Sequence, residues 1–263
     1  MKIRLRHRIA LIGIFFAFAV SIVPITFTVA AGTREARVTQ VVHNVQTVAP
    51  NAAPRAASVN DNVRPGTAVR TGSDSRAELT FTSRKLTRLG ASTVFSFGEG
   101  ARDFDLASGS ILLDAPKNSG GARINTAVAT VAGTSFTAMA EYHPKSGPKF
   151  IILEGGGSVS LKHHPGETRA LHAGQMIIVR PGATKLPEPQ DVDLSKLIKT
   201  SLLIAKFPPL PNLNLILREA GDQQNLPPSS YVIDPTGLNT RDQRAAAQPS
   251  AIPRTIPGRP LRP

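Results

Sequence analysis

The 263-residue chain contains no cysteine and no tryptophan, and aromatic residues make up only 5% of it. Without cysteine there are no disulfides, no thiolate zinc site, no cysteine nucleophile and no lipid-accepting cysteine of a lipoprotein leader. With so few rings the core must be aliphatic, built of Val, Ile, Leu and Ala with a few Phe, a composition that suits strands. The hydrophobic share of 41% is enough for a core, and once the ends are set aside the length fits one domain. Acids are also scarce, 18 against 31 Lys and Arg, for a net charge of +13. Lys2, Arg4, Arg6 and Arg8 carry four of those charges, which leaves +9 on the remainder. A basic balance attracts anionic polymers and lipids. Here the cations are scattered and stacking rings are few, so nucleic acid is not an expected partner. Neither a G-x-S-x-G elbow nor a dinucleotide fingerprint occurs, and no enzyme activity or cofactor is expected.

One long apolar run is present. Residues 1–8, MKIRLRHR, form a basic n-region, and residues 9–31 are uncharged, ending in the small residues Val29-Ala30-Ala31. The pattern is that of a secretory signal peptide, and the run is also just long enough for an uncleaved inner-membrane anchor. Both place the rest of the chain outside the cytoplasm, in the periplasm or cell envelope of a bacterium.

Residues 32–57 read as a linker containing a short strand over Arg37–Val48 and then the Pro- and Ala-rich APNAAPRAAS. Residues 58–189 read as the folded body. Glycine and proline turns separate short alternating runs at Ala77–Phe81, Thr93–Phe97, Ser110–Leu113, Lys149–Leu153, Ser158–Leu161 and Gln175–Val179. That spacing predicts an all-β fold, an irregular β-solenoid or twisted β-sandwich of 10 to 12 short strands. At its centre lies RINTAVATVAGTSFTAM, Arg123 to Met139. Its period-two alternation predicts a strand buried on both faces, a bend at Ala132-Gly133-Thr134, and a second strand with Phe136 in the core. Residues 190–217 read as a capping helix, QDVDLSKLIKTSLLIAK, followed by an extended apolar segment. Leu194, Leu197, Ile198, Leu202 and Ala205 recur at helical spacing, with Asp191 or Asp193 at the start and Pro208-Pro209 at the end. Half of the 22 prolines lie beyond Phe207, and residues 218–263 read as a disordered basic tail.

Few residues look chemical. His163 and His164 adjoin Pro165-Gly166, which predicts a solvated turn, and with His172 they make a poor metal set. Glu154 precedes Gly155-Gly156-Gly157, where a strand rather than a helix follows, so a phosphate loop is not expected. Arg84, Lys85 and Arg88 form the densest positive cluster in the body, a candidate docking patch for an anionic surface.

The central stretch resembles the core motif of the FecR-type extracytoplasmic domain. Three further blocks agree in order: Thr71-Gly72-Ser73 with Ala77, Leu79 and Phe81; Leu86-Thr87-Arg88-Leu89-Gly90; and Leu153-Glu154-Gly155 followed by Ala173-Gly174-Gln175. Together they span roughly residues 60 to 182. The resemblance implies a small solenoid or twisted sandwich in which Gly90, Gly133, Thr134, Phe136, Glu154, Gly155, Gly174 and Gln175 are structural, and it implies signal transduction. The best-known members carry iron-siderophore signals from outer-membrane receptors to a sigma factor. They place a helical sigma-binding segment before the membrane span, where this sequence has eight residues. The expectation is therefore a non-enzymatic exported protein that binds an envelope protein in sensing, signalling or assembly. The rivals are a module binding anionic polysaccharide or peptidoglycan, and a hydrolase using Glu154 or Asp114.

Overall fold

Two β-sheets share a core because two long strands belong to both. The computed structural model describes residues 36–224, which fall in one compact unit. The apolar run of residues 9–31 and most of the Pro-rich tail lie outside them. No helix among the described residues is long and apolar enough to cross a membrane. The strands are β1 (Ala36–Val42), β2 (Val45–Val48), β3 (Arg55–Ala56), β4 (Asn62–Val63), β5 (Ala68–Thr71), β6 (Arg76–Phe81), β7 (Leu86–Leu89) and β8 (Val94–Phe97). Then follow β9 (Asp103–Ala115), β10 (Ala122–Asn125), β11 (Ala129–Gly133), β12 (Phe136–His143), β13 (Gly147–Leu161), β14 (Thr168–His172), β15 (Gln175–Ile178) and β16 (Gln190–Asp191). Three helices end the described chain: α1 (Leu194–Thr200), α2 (Leu202–Ala205) and α3 (Leu213–Gln224).

Sheet A runs β4-β1-β6-β7-β9-β12-β13-β15-β16 and sheet B runs β3-β2-β5-β8-β9-β10-β11-β13-β14. Every pairing is antiparallel except β9 with β10. Strands β9 and β13 pass from one sheet to the other. In β13 the passage falls at a bulge beside Gly155, whose φ is +75°. A Cβ there would stand 2.5 Å from the Ser135 carbonyl oxygen, so both the conformation and the space require glycine.

The main core lies between the sheets. It takes Leu79, Leu89, Ile111, Leu113, Phe136, Phe150 and Ile152 from sheet A and Val69, Phe95, Phe104, Ile124, Val131 and Val159 from sheet B. The rings of Phe81 and Phe97 meet edge to face at 4.9 Å, so the few aromatics are concentrated here. A second core covers the outer face of sheet A, where Leu86, Leu112, Ile151, Leu153 and Met176 pack under Leu194, Leu197, Leu203, Ile204, Ile216 and Ala220 of the helices. Asp193 caps α1, its carboxylate accepting from the Lys196 amide at 2.9 Å.

Several expectations are corrected. The described residues hold sixteen strands rather than the predicted dozen: β1–β3 lie in the segment read as a linker and β16 at the start of the segment read as helix. Val38 and Val45 are both buried, but in β1 and β2, which lie in different sheets on either side of a turn at His43. Arg123–Val131 is not one strand. Thr126 turns it, its hydroxyl bonding the backbone of Ala129 in both directions, so β10 and β11 pair as a hairpin buried on one face only. The helix starts at Leu194, since Gln190–Asp191 pairs with β15, and it breaks at Ser201, whose backbone is extended. The break leaves Leu202 57% exposed and buries Leu203 and Ile204 in its place. Residues 213–217, expected to be extended, open α3, which continues through 218–224, residues read as tail. Its register brings Ile216 and Ala220 onto the sheet.

Candidate functional site

The outer face of sheet A is organised in cross-strand rows. The middle row is Glu78–Arg88–Leu112–Met139–Ile151–Met176, set by the registers of six neighbouring strands. Arg88 is 1% exposed. It donates to Glu78 Oε2 at 2.9 Å, to the Leu203 carbonyl at 3.0 Å and to the Pro208 carbonyl at 2.6 Å. The Phe207 ring lies 4.8 Å from its guanidinium carbon. One side chain thus ties the strand face to the helical segment, satisfying carbonyls that the end of α2 leaves open. Burial pulls its pKa down from the usual arginine value, and Glu78 works against that pull.

A second row places Asp114 opposite Thr137 and Thr137 opposite Glu154. Asn212, just before α3, donates to the Thr137 hydroxyl, which donates to Asp114 Oδ1 at 3.2 Å. Asp114 is 2% exposed. Burial raises its pKa to about 6, with the Glu154 charge adding to the rise. Burial, and then Glu219 of α3, also raise Glu154. Asn212 and Glu219 thus bring the start and middle of α3 to this row, where Asp114 is buried and Glu154 half-buried.

The third row, Arg76–Gly90–Ser110–Glu141–Lys149, runs past the edge of that cover. It floors a groove of about 590 Å³. Met139, Ile151, Leu197 and Leu203 wall it, Leu202 stands on its rim, and His43 and Asp74 close one end. Gly90 keeps the floor low: a Cβ there would sit 2.2 Å from Ser110 Oγ and 3.6 Å from a Leu203 methyl. Glu141 is neutralised in place, paired with Lys149 and 3.3 Å from His143 Nε2. Burial pushes its pKa up, and Lys149 and His143 more than offset this, so it lies below the usual glutamate value. At the other end the Arg76 Nε is buried, with no hydrogen-bond partner among the described residues.

The predicted cationic patch does not form. Lys85 is fully buried and donates to the Ala101 and Ser119 carbonyls at 2.8 Å each, while Arg88 faces the helices. Only Arg84 is exposed, at φ +65° in the turn before β7, donating to the Lys117 carbonyl. Alternation within β7 put Leu86 and Arg88 on one face, but only the strand order shows that this face is roofed. The motif residues are scattered over the sheet junctions. Gly133 has no room for a side chain, its Cβ falling 2.5 Å from the Phe136 ring, and Phe136 is fully buried. Thr134 is exposed. Gly174, at φ +77°, receives the Val192 amide on its carbonyl, and Gln175 accepts from the His172 amide. His163, His164 and His172 are exposed. Arg76, Ser110 and Glu141 carried no sequence motif. They are marked only by cross-strand register.

These features define a mostly β protein with helices gathered at its C-terminal side. Within it, residues 67–168 match the model of the FecR protein family. The match runs from β5 to the start of β14, so it includes both shared strands and the groove floor and stops short of the helices. Among solved structures the chain is similar to a candidate anti-sigma factor from Parabacteroides distasonis ATCC 8503, at 1.65 Å and again at 2.50 Å resolution, with 13% identity and a TM-score of 0.43 for each. The aligned part covers 51% of this chain and 65% and 64% of those chains, so the chain spans just under two thirds of their length. No curated protein matches it.

Proposed function

We propose that this is a non-enzymatic, exported FecR-domain protein that acts by binding an envelope protein, in sensing or signalling at the cell envelope. The observation that carries the proposal is the FecR match over residues 67–168, the part of the chain that builds the two-sheet body. The basic start and the uncharged residues 9–31 support export, by a cleaved leader or an inner-membrane anchor. The buried Asp114 and the half-buried Glu154 hold a raised pKa, as catalytic acids do, but Asp114 is 2% exposed and Asn212 and Thr137 are hydrogen-bonded at this site, which favours a structural role. The anionic-polymer reading rests on the +9 balance of the chain beyond the leader-like start, and the burial of Lys85 and Arg88 takes away the cluster that could have focused it. Two experiments test the proposal. A reporter fused after Ser58 is expected to be active only outside the cytoplasm. Photo-crosslinking in cells from position 202, on the groove rim, is expected to yield a discrete protein adduct. A reporter active only in the cytoplasm, or crosslinking to glycan alone, would overturn it.

A further inference from the structure

We infer that the groove between the third row of sheet A and the α1–α2 corner is a peptide-docking site. It reads a carboxylate beside an aliphatic or aromatic side chain on an extended partner segment. The inference deepens the binding function proposed above and rests on it. Three observations converge. First, Arg76 is the one floor cation with a buried nitrogen that has no acceptor among the described residues. A buried donor without a partner is unfavourable, and a small shift of the guanidinium towards an incoming carboxylate would satisfy it through a charge-assisted bond. The other floor charges are already committed, Glu141 to Lys149 and His143. Asp74 lies exposed at the rim, where solvent screens its repulsion of an incoming anion. Secondly, the same groove is lined by the apolar side chains of Met139, Ile151, Leu197 and Leu203. A ligand that fills the groove therefore carries an apolar group as well as its acid. Thirdly, Leu202, one of the lining residues, stands 57% exposed. A metabolite-sized ligand is usually engulfed. An open slot with an exposed leucine at its lip suits a chain that continues past the site, with Leu202 packing on its next apolar residue. The floor, Met139 and Ile151 lie within the FecR match, and Leu197, Leu202 and Leu203 lie beyond it, so the groove is completed only where this helical segment meets the domain.

The test uses the full chain and three fluorescein-labelled, C-terminally defined hexapeptides. Two are amides, Gly-Ser-Gly-Leu-Glu-Leu and its Glu-to-Gln counterpart, and the third is the Gln peptide with a free carboxyl end. Fluorescence polarisation is expected to show at least one acid-bearing peptide binding about tenfold or more tighter than the neutral amide, the scale of one charge-assisted contact. The identity of the tighter one separates a side-chain from a terminal carboxylate. Arg76→Gln, melting as the parent does, should erase the preference while leaving weak binding of all three. Leu202→Ser should weaken all three by a few-fold. Equal binding of charged and neutral peptides by the parent, no binding of any, or an acid preference that survives Arg76→Gln would overturn the inference. If the in-cell protein adduct persists in Arg76→Gln while the peptides fail, the partner-binding function stands and this site is wrong.

Discussion

The outer faces of the two sheets, though built partly from the same strands, are opposites. On sheet A the outward residues of β9 and β13 are Leu112, Ile151 and Leu153, and the chain covers them with its own helices. On sheet B the outward residues of the same strands are Asp103, Asp105, Ser158 and Ser160. They continue into Arg123, Asn125 and Thr130 of their neighbours. Arg123 forks onto Asp103 at 2.8 and 3.0 Å, and Asn125 bridges towards Asp105 and Thr130. That face needs no cover, because its polar groups satisfy one another and water. The same strand therefore reads differently along its length. In β13, FIIL is buried on both faces and SVSL alternates. A strand with both faces covered loses its period of two, while one with a solvated face keeps it. The chemistry gathers at the boundary, where the helical cover of sheet A stops and leaves Arg76, Ser110 and Glu141 in a groove.

The largest test of this asymmetry removes the cover. Truncation after Pro189 bares Leu112, Met139, Ile151 and Leu153 together. The truncated protein is expected to aggregate or to lose several kcal/mol in urea unfolding, since each large apolar side chain returned to water costs about 1.5–3 kcal/mol. A truncated protein that stays monomeric and unfolds like the parent would show that the cover contributes nothing.

Arg88→Ala should come next. It leaves Glu78 buried without its partner and frees two carbonyls of the helical segment, with a cost of about 3–5 kcal/mol. The double replacement of Arg88 by Met and Glu78 by Leu should recover much of the loss. If the single and double variants unfold alike, the pair is not what fastens the helices.

The Asp114 site gives the asymmetry a pH dependence. Its folded pKa, about 6, lies above the ordinary 3.8, so the folded state holds the proton more tightly. The stabilisation is complete below about pH 4 and is lost as pH rises through about 6, amounting to about 3 kcal/mol. Asp103 and Glu141, both held below their usual values, act in the opposite sense and lose stability as pH falls. The difference between parent and Asp114→Asn isolates the Asp114 contribution, and it should narrow below pH 4 and widen towards pH 7. Parallel stability curves from pH 4 to 7 would rule it out.

The smallest effect belongs to sheet B. Arg123→Ala removes an exposed ion pair and should cost about 1 kcal/mol or less, shrinking further in high salt. A loss comparable with that of Arg88→Ala would mean the two faces are not so different.

Much of this fold was legible in the residues themselves. The glycine turns and alternating runs located β6, β8 and β15 and parts of β9 and β13, because a two-residue period and left-handed turn positions are local properties. The FecR resemblance covered the span that the family match confirms. Phe136 in the core, and crowding at Gly133, followed from the pattern around one glycine. Local pattern did not show that Ser110–Leu113 and Lys149–Leu153 are parts of strands long enough to serve two sheets, nor that the segment after Pro54 joins the body. Asn212 and the spacing of Ile216 and Ala220 did mark a helix start and face, but three prolines in residues 208–211 obscured them.

The groove shows where local reading ends. Composition and order determined a β-rich, cysteine-free body behind a basic, apolar leader-like start, since secondary-structure period, turn chemistry and charge are carried by neighbours in the chain. Tertiary structure alone decided that Arg88 is buried and bonded while the Arg76 Nε has no hydrogen-bond partner among the described residues, though both are arginines on strands of one sheet. Burial depends on what crosses above a strand, and that is set by residues 194–224, more than a hundred positions away. Register across five strands then brings Arg76, Gly90, Ser110, Glu141 and Lys149 into a single line, an alignment fixed by backbone hydrogen bonds between distant segments and absent from any one of them.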